Sequence, residues 1–228
     1  MLKINTERNR TLVQNTSYIT ILQVFNVIAP LITYPYLVRV IGRDMYGVFI
    51  TAQVLVSYIS LFVIWGSDSV CAKYISIYRD DKQKLSEIFS SVFVGRAVVW
   101  LIGLAVFLLI VLLTPTYRES CLIFTLTYGM AIYDVLFPQY LFQGLEKMKY
   151  ATFVVVMVKS FFIVLIFALV KDSSDLYLVP LLYSIGYLLG GLFSLYIVFC
   201  LLGLRLKKVS SRAVFSLIKE SLPIFASI

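Results

Sequence analysis

Apolar residues run along this chain in stretches of twenty or more, cut by short clusters of charged and turn-forming residues. An α-helix rises ~1.5 Å per residue, so ~20 such residues cross a ~30 Å hydrocarbon core. The pattern predicts six membrane-spanning helices, roughly over 16–38, 45–77, 88–113, 121–143, 150–170 and 176–204. The second and sixth exceed what a bilayer needs, so each is expected to tilt or to extend past the lipid. A seventh apolar run opens at Leu222, just before Pro223, and the sequence given stops at Ile228 inside what reads as a helix. The expected fold is all-α, a six-helix transmembrane lobe over 1–212, followed over 213–228 by a linker and the start of a seventh helix.

Composition sharpens the class. Of 228 residues, 61% are hydrophobic and 14% charged, with a mean hydropathy of +0.93. That excludes a water-soluble globule. The chain has no histidine, which removes the commonest general base and the commonest metal-binding ring. Cys71, Cys121 and Cys200 are too far apart for zinc-ligand spacing and read as apolar filler. No metal or other cofactor is implied.

Charge placement gives an orientation. One side of the predicted spans collects Lys3, Arg8 and Arg10, then Lys73, Arg79, Lys82 and Lys84, then Lys147 and Lys149, then Arg205, Lys207, Lys208, Arg212 and Lys219. The other side has Arg39, Arg43, Arg118 and Lys171. The positive-inside rule places the amino terminus and the last cluster in the cytoplasm. The first span is too long, and lacks a small-x-small site after it, for a cleavable signal. A net charge of +8 spread over short connections reflects orientation and anionic headgroups rather than nucleic acid. The cluster at 205–212 ahead of the mixed stretch 216–221 reads as an interfacial linker.

Charges inside spans are the candidate functional residues, because each costs ~2.5–3.5 kcal/mol at mid-bilayer and must face protein or water. Arg96, Asp134 and Lys159 fall on three different helices at similar depth, ~12–14 Å from the cytoplasmic edge at helical rise. A shared, net-positive cavity suited to a phosphate or diphosphate is one reading. The other is a structural pair between Asp134 and Arg96 or Lys159, with the third charge reaching the interface. Asp68 is expected to be interfacial, since Lys73 follows closely; if the second span reaches Ile77, Asp68 joins the cavity and neutralises it. Asn15, Gln23, Asn26 and Thr33 recur near helical spacing on the first span, so that stripe faces the cavity or a neighbouring helix. Pro30, Pro35 and Pro138 free backbone carbonyls, either as static kinks or as sites of bending. Gly186 and Gly190, with Gly191, form a GxxxG read as close helix packing, and also as a contact open to a second copy.

Three stretches resemble the polysaccharide, or O-antigen, flippase family of the multidrug/oligosaccharidyl-lipid/polysaccharide exporter superfamily. They are Pro35-Tyr36-Leu37-Val38-Arg39-Val40-Ile41-Gly42 with Tyr46-Gly47; Trp65-Gly66 through Ala72-Lys73-Tyr74-Ile75 to the Asp80-Asp81-Lys82 connection; and Phe137-Pro138-Gln139-Tyr140-Leu141-Phe142-Gln143-Gly144-Leu145-Glu146-Lys147-Met148, with Tyr140 where the family usually has Trp. The resemblance implies the amino-terminal half of an exporter with twelve or more helices in two lobes. It further implies alternating access and movement of a lipid-diphosphate-linked oligosaccharide across the bacterial cytoplasmic (inner) membrane. The implied partners are that substrate, membrane lipids and a carboxy-terminal lobe. With Arg39 from the first stretch, the candidate cavity residues are Arg96, Lys159, Asp134, Asn26 and Arg39. The alternatives are an ion-coupled multidrug exporter of the same superfamily, which would favour an acidic site, and a membrane-embedded polymerase or acyltransferase. The missing histidine and the short external connections speak against such an enzyme.

Overall fold

The computed structural model describes residues 2–225, with side chains over 13–212 and 214–223. The end of the chain at Ile228 and the side chains of Lys3, Arg8 and Arg10 lie outside the described residues. The chain is a bundle of α-helices and, among the described residues, six segments are long and apolar enough to cross a membrane: Val13–Ile41, Arg43–Ile77, Lys82–Leu113, Cys121–Gly144, Met148–Leu169 and Ser173–Leu201. It is a multi-pass membrane protein, and the segments fall within a few residues of the hydropathy reading.

Three of the six are single helices: α1 (Leu2–Ile41), α4 (Lys82–Leu113) and α9 (Met148–Leu169). Pro30 and Pro35 both sit inside an unbroken α1. The second segment is two helices, α2 (Arg43–Ile64) and α3 (Ser67–Ile77), because Trp65 (φ 36°) and Gly66 (φ 71°) adopt left-handed backbone that an α-helix cannot continue. A short α5 (Pro115–Arg118) then leads to the fourth segment, built from α6 (Cys121–Tyr128), a 3-10 turn, α7 (Ile132–Leu136) and α8 (Gln139–Gly144). Its break falls at Phe137-Pro138, where proline has no N–H to give the carbonyl four residues back. The sixth segment is a 3-10 turn, α10 (Leu178–Tyr196) and a π-helical end at Ile197–Leu201. A final helix, α11 (Ser211–Phe225), runs through Pro223 and packs on α3 and α4. The expected linker at 213–228 is thus already helical from Ser211.

Small residues set the closest approaches. A Cβ on Gly190 would clash with a Val158 methyl on α9, and one on Gly191 would lie 2.6 Å from Leu136 Cβ on α7. The GxxxG is therefore spent inside the bundle, with Gly186 and Gly190 both buried, and is not a surface for a second copy. Gly144 lets α8 sit on α3, since a Cβ there would meet the Ala72 carbonyl oxygen at 2.6 Å. The α3–α8 contact brings the basic clusters at 73–84 and 147–149 to one end of the bundle, and the backbone amides of Arg205 and Lys207 bond Ser86 and Ser90 there as well.

Candidate functional site

An open pocket of 420 Å³ lies between α1, α2, α7, α9 and α10. Asn26 and Tyr34 reach it from α1, Asp134 from α7, Lys159 from α9 and Tyr187 from α10. Gln53, Ser57 and Ser60 supply a polar stripe from α2. Ser60 and Asp134 line the same pocket. Tyr133 completes the aromatic wall, stacked on Phe137 at 4.7 Å and tilted against Tyr187 at 5.1 Å. Its hydroxyl is buried with no hydrogen-bond partner among the described residues.

Of the residues singled out by sequence, the pocket therefore gathers Asn26, Asp134 and Lys159. Arg39 is exposed in the last turn of α1 and does not line it. The polar stripe expected on α1 divides: Asn15 accepts from the Met148 amide, Thr33 meets the Tyr183 hydroxyl at 3.4 Å, Gln23 is exposed, and only Asn26 reaches the pocket. Gln53, Ser57 and Ser60 were not among the candidates, although their spacing of four and three places them on one face of an otherwise apolar helix.

Arg96 is the main correction. It is 2% exposed and does not line the pocket. Its Nη2 donates to Asp68 Oδ1 at 2.7 Å and to Ser67 Oγ at 2.7 Å, while Nη1 donates to the Asp134 backbone carbonyl at 2.9 Å. Its guanidinium carbon lies 5.2 Å from the centre of the Tyr140 ring. Each partner belongs to a broken helix. The Asp134 carbonyl is the one Pro138 cannot serve. Ser67 opens α3 and passes its own proton to the Ile64 carbonyl at 2.7 Å, a group left free where α2 ends. Ser194 Oγ donates at 2.9 Å to the Leu136 carbonyl, a second group left at the end of α7 where the helix breaks. Arg96 is thus a pin between two helix breaks. Asp68, expected at the interface, is its ion-pair partner at 30% exposure.

The consequence is electrostatic. With Arg96 committed to Asp68, the pocket carries Asp134 and Lys159 and is formally balanced rather than net positive. Such a lining offers carboxylate, amide and hydroxyl acceptors and donors beside aromatic faces, the combination that binds polyhydroxylated molecules, and one ammonium for an anionic group.

Residues 12–228 match the family of polysaccharide biosynthesis proteins. A "Putative O-antigen transporter" of Escherichia coli (strain K12) is 31% identical over 185 residues, 81% of this chain and 45% of that protein. Another "Putative O-antigen transporter", from Shigella dysenteriae, is 28% identical over 216 residues, 89% of this chain and 51% of its own length. The chain spans about half the length of these curated relatives. No solved structure matches it significantly.

Proposed function

The chain belongs to the family of polysaccharide biosynthesis proteins, and on that premise we propose that it forms the amino-terminal lobe of a transporter that flips a polysaccharide precursor across the bacterial cytoplasmic membrane. The precursor is a lipid-diphosphate-linked oligosaccharide, carried from the cytoplasmic to the external leaflet. Residues 1–212 form the lobe, and 213–228 lead towards a seventh helix and a second lobe. The basic end of the bundle, with Lys73, Lys84, Lys147 and Arg205, faces the cytoplasm, as does the amino terminus.

The observation that carries this reading is the pocket. Amide, hydroxyl, carboxylate and ammonium groups in an otherwise apolar bundle cost free energy unless they meet water or a polar ligand. Asn26, Gln53, Ser57, Ser60, Asp134 and Lys159 can bond sugar hydroxyls, and Lys159 is the cation available to a phosphate. In the proposed cycle the two lobes rock about such a site, exposing it to each face in turn. A balanced pocket removes the electrostatic preference against drug cations, so the multidrug-exporter alternative is weighed on kinship, and the relatives' names favour the glycan.

Complementation of a strain lacking its O-antigen transporter tests this. A chain extended through a second lobe is expected to restore surface polysaccharide, and the 228-residue chain alone is not. Restoration by the short chain would overturn the two-lobe reading; failure of the extended one, inserted at normal levels, would overturn the substrate.

A further inference from the structure

Residues 203–210 form an extended strap along the start of α4, held where the amides of Arg205 and Lys207 donate to Ser86 and Ser90 Oγ at 3.3 and 2.9 Å. The chain then folds back as α11. One face of that helix is fixed to the bundle: a Cβ on Gly95 would meet Val214 at 3.1 Å, Leu217 packs on the core, and Ser221 is buried. On one flank Glu220 accepts a hydrogen bond from Tyr74 of α3 and faces Ser216.

The other flank is uncovered. Phe215 is 69% and Leu222 50% exposed. Seven residues apart, they form one stripe two turns long. Arg212 and Lys219, also seven apart, follow about 60° further around the axis at 100° per residue. Both are exposed, as are Arg205 and Lys208 in the strap, and none of the four has an ion-pair partner among the described residues. Nearby acids are engaged: Glu87 holds Lys84 and Lys207, each at 3.1 Å.

The order around α11 is therefore bundle, large apolar side chains, cations, which matches the order of an interface from acyl chains to headgroups. We propose that α11 is an interfacial helix whose Phe215–Leu222 stripe enters the acyl boundary of the cytoplasmic leaflet while Arg212, Lys219, Arg205 and Lys208 bind phosphates of anionic lipids. Charge complementarity selects this occupant, since a second copy would bring the same cations against these. The helix thereby anchors the strap leaving the sixth span to the membrane surface.

The test uses the whole chain with Cys121→Ser and Cys200→Ser, leaving only buried Cys71, and a Leu222→Cys change labelled with an environment-sensitive fluorophore. Nanodiscs contain phosphatidylcholine alone or with phosphatidylglycerol, each with and without acyl-chain spin-labelled lipid. A blue-shifted fluorophore is expected, with quenching several-fold stronger when phosphatidylglycerol is present. Arg212→Gln with Lys219→Gln should abolish that difference while helical content stays unchanged. Equal quenching in both lipids, no quenching, or a shielded fluorophore that spin-labelled lipid does not reach would overturn the proposal, the last by showing protein in that place.

Discussion

Arg96→Ala is expected to destabilise the bundle by about 3–5 kcal/mol, the cost of stripping one partner from a buried ion pair. The loss follows from what the guanidinium holds: the Asp68 carboxylate, the Ser67 hydroxyl and the Asp134 carbonyl. Arg96→Lys should fall between, because an ammonium lacks the planar fork that reaches separate acceptors. Asp68→Asn keeps an acceptor at a partly exposed site and should cost less, about 1.5–3 kcal/mol, typical of a hydrogen bond to a charged group. The pin also predicts a coupling. Pro138→Ala restores an N–H able to serve the Asp134 carbonyl within the helix, so the Arg96→Ala loss should be smaller in that background. Equilibrium unfolding in detergent, followed by helical circular dichroism, gives all four values. Additive effects at 96 and 138 would show that the carbonyl contact is not what Arg96 contributes.

Lys159→Ala and Asp134→Asn in the two-lobe protein are each expected to lower surface polysaccharide export by roughly ten- to a hundredfold, the rate equivalent of a lost charge-assisted contact. Gln53→Ala, which removes a neutral contact, should cost about two- to tenfold. Arg39→Ala, exposed and away from the pocket, should leave export unchanged. Export normalised to protein in the membrane separates these effects from folding. Normal export by the Lys159 and Asp134 variants would leave the two charges a structural role.

Hydropathy made the six spans legible because the cost of polar groups in hydrocarbon acts on every residue of a span and leaves a long record. The breaks inside the spans were not legible to the same degree. Pro138 marks a carbonyl without a partner, but nothing in its neighbourhood of sequence says that the partner is Arg96, 38 positions earlier. Counting residues from the end of a helix gave Arg96, Asp134 and Lys159 a common depth; it gave no direction around each helix axis. Direction decided the outcome, turning Arg96 into the pin and leaving Asp134 and Lys159 at the pocket. The left-handed pair Trp65-Gly66 likewise divides a stretch whose hydropathy is continuous, which is how Asp68 comes to sit in the first turn of α3, within reach of Arg96. By contrast, Gln53, Ser57 and Ser60 were readable by the periodicity applied to α1, and were hidden only by the high apolar content of α2 around them.

The proposed site for the glycan is the pocket between α1, α2, α7, α9 and α10. A photoreactive side chain placed at Ser57, which lines the pocket, and another at Leu101, which is exposed on α4, put it to the most direct test in membranes of cells making radiolabelled lipid-linked oligosaccharide. Illumination of the two-lobe protein is expected to yield a labelled adduct from position 57, reduced in the Lys159→Ala background, and only a trace from position 101. Equal labelling at both positions, or none at 57 in a protein that still exports, would contradict it.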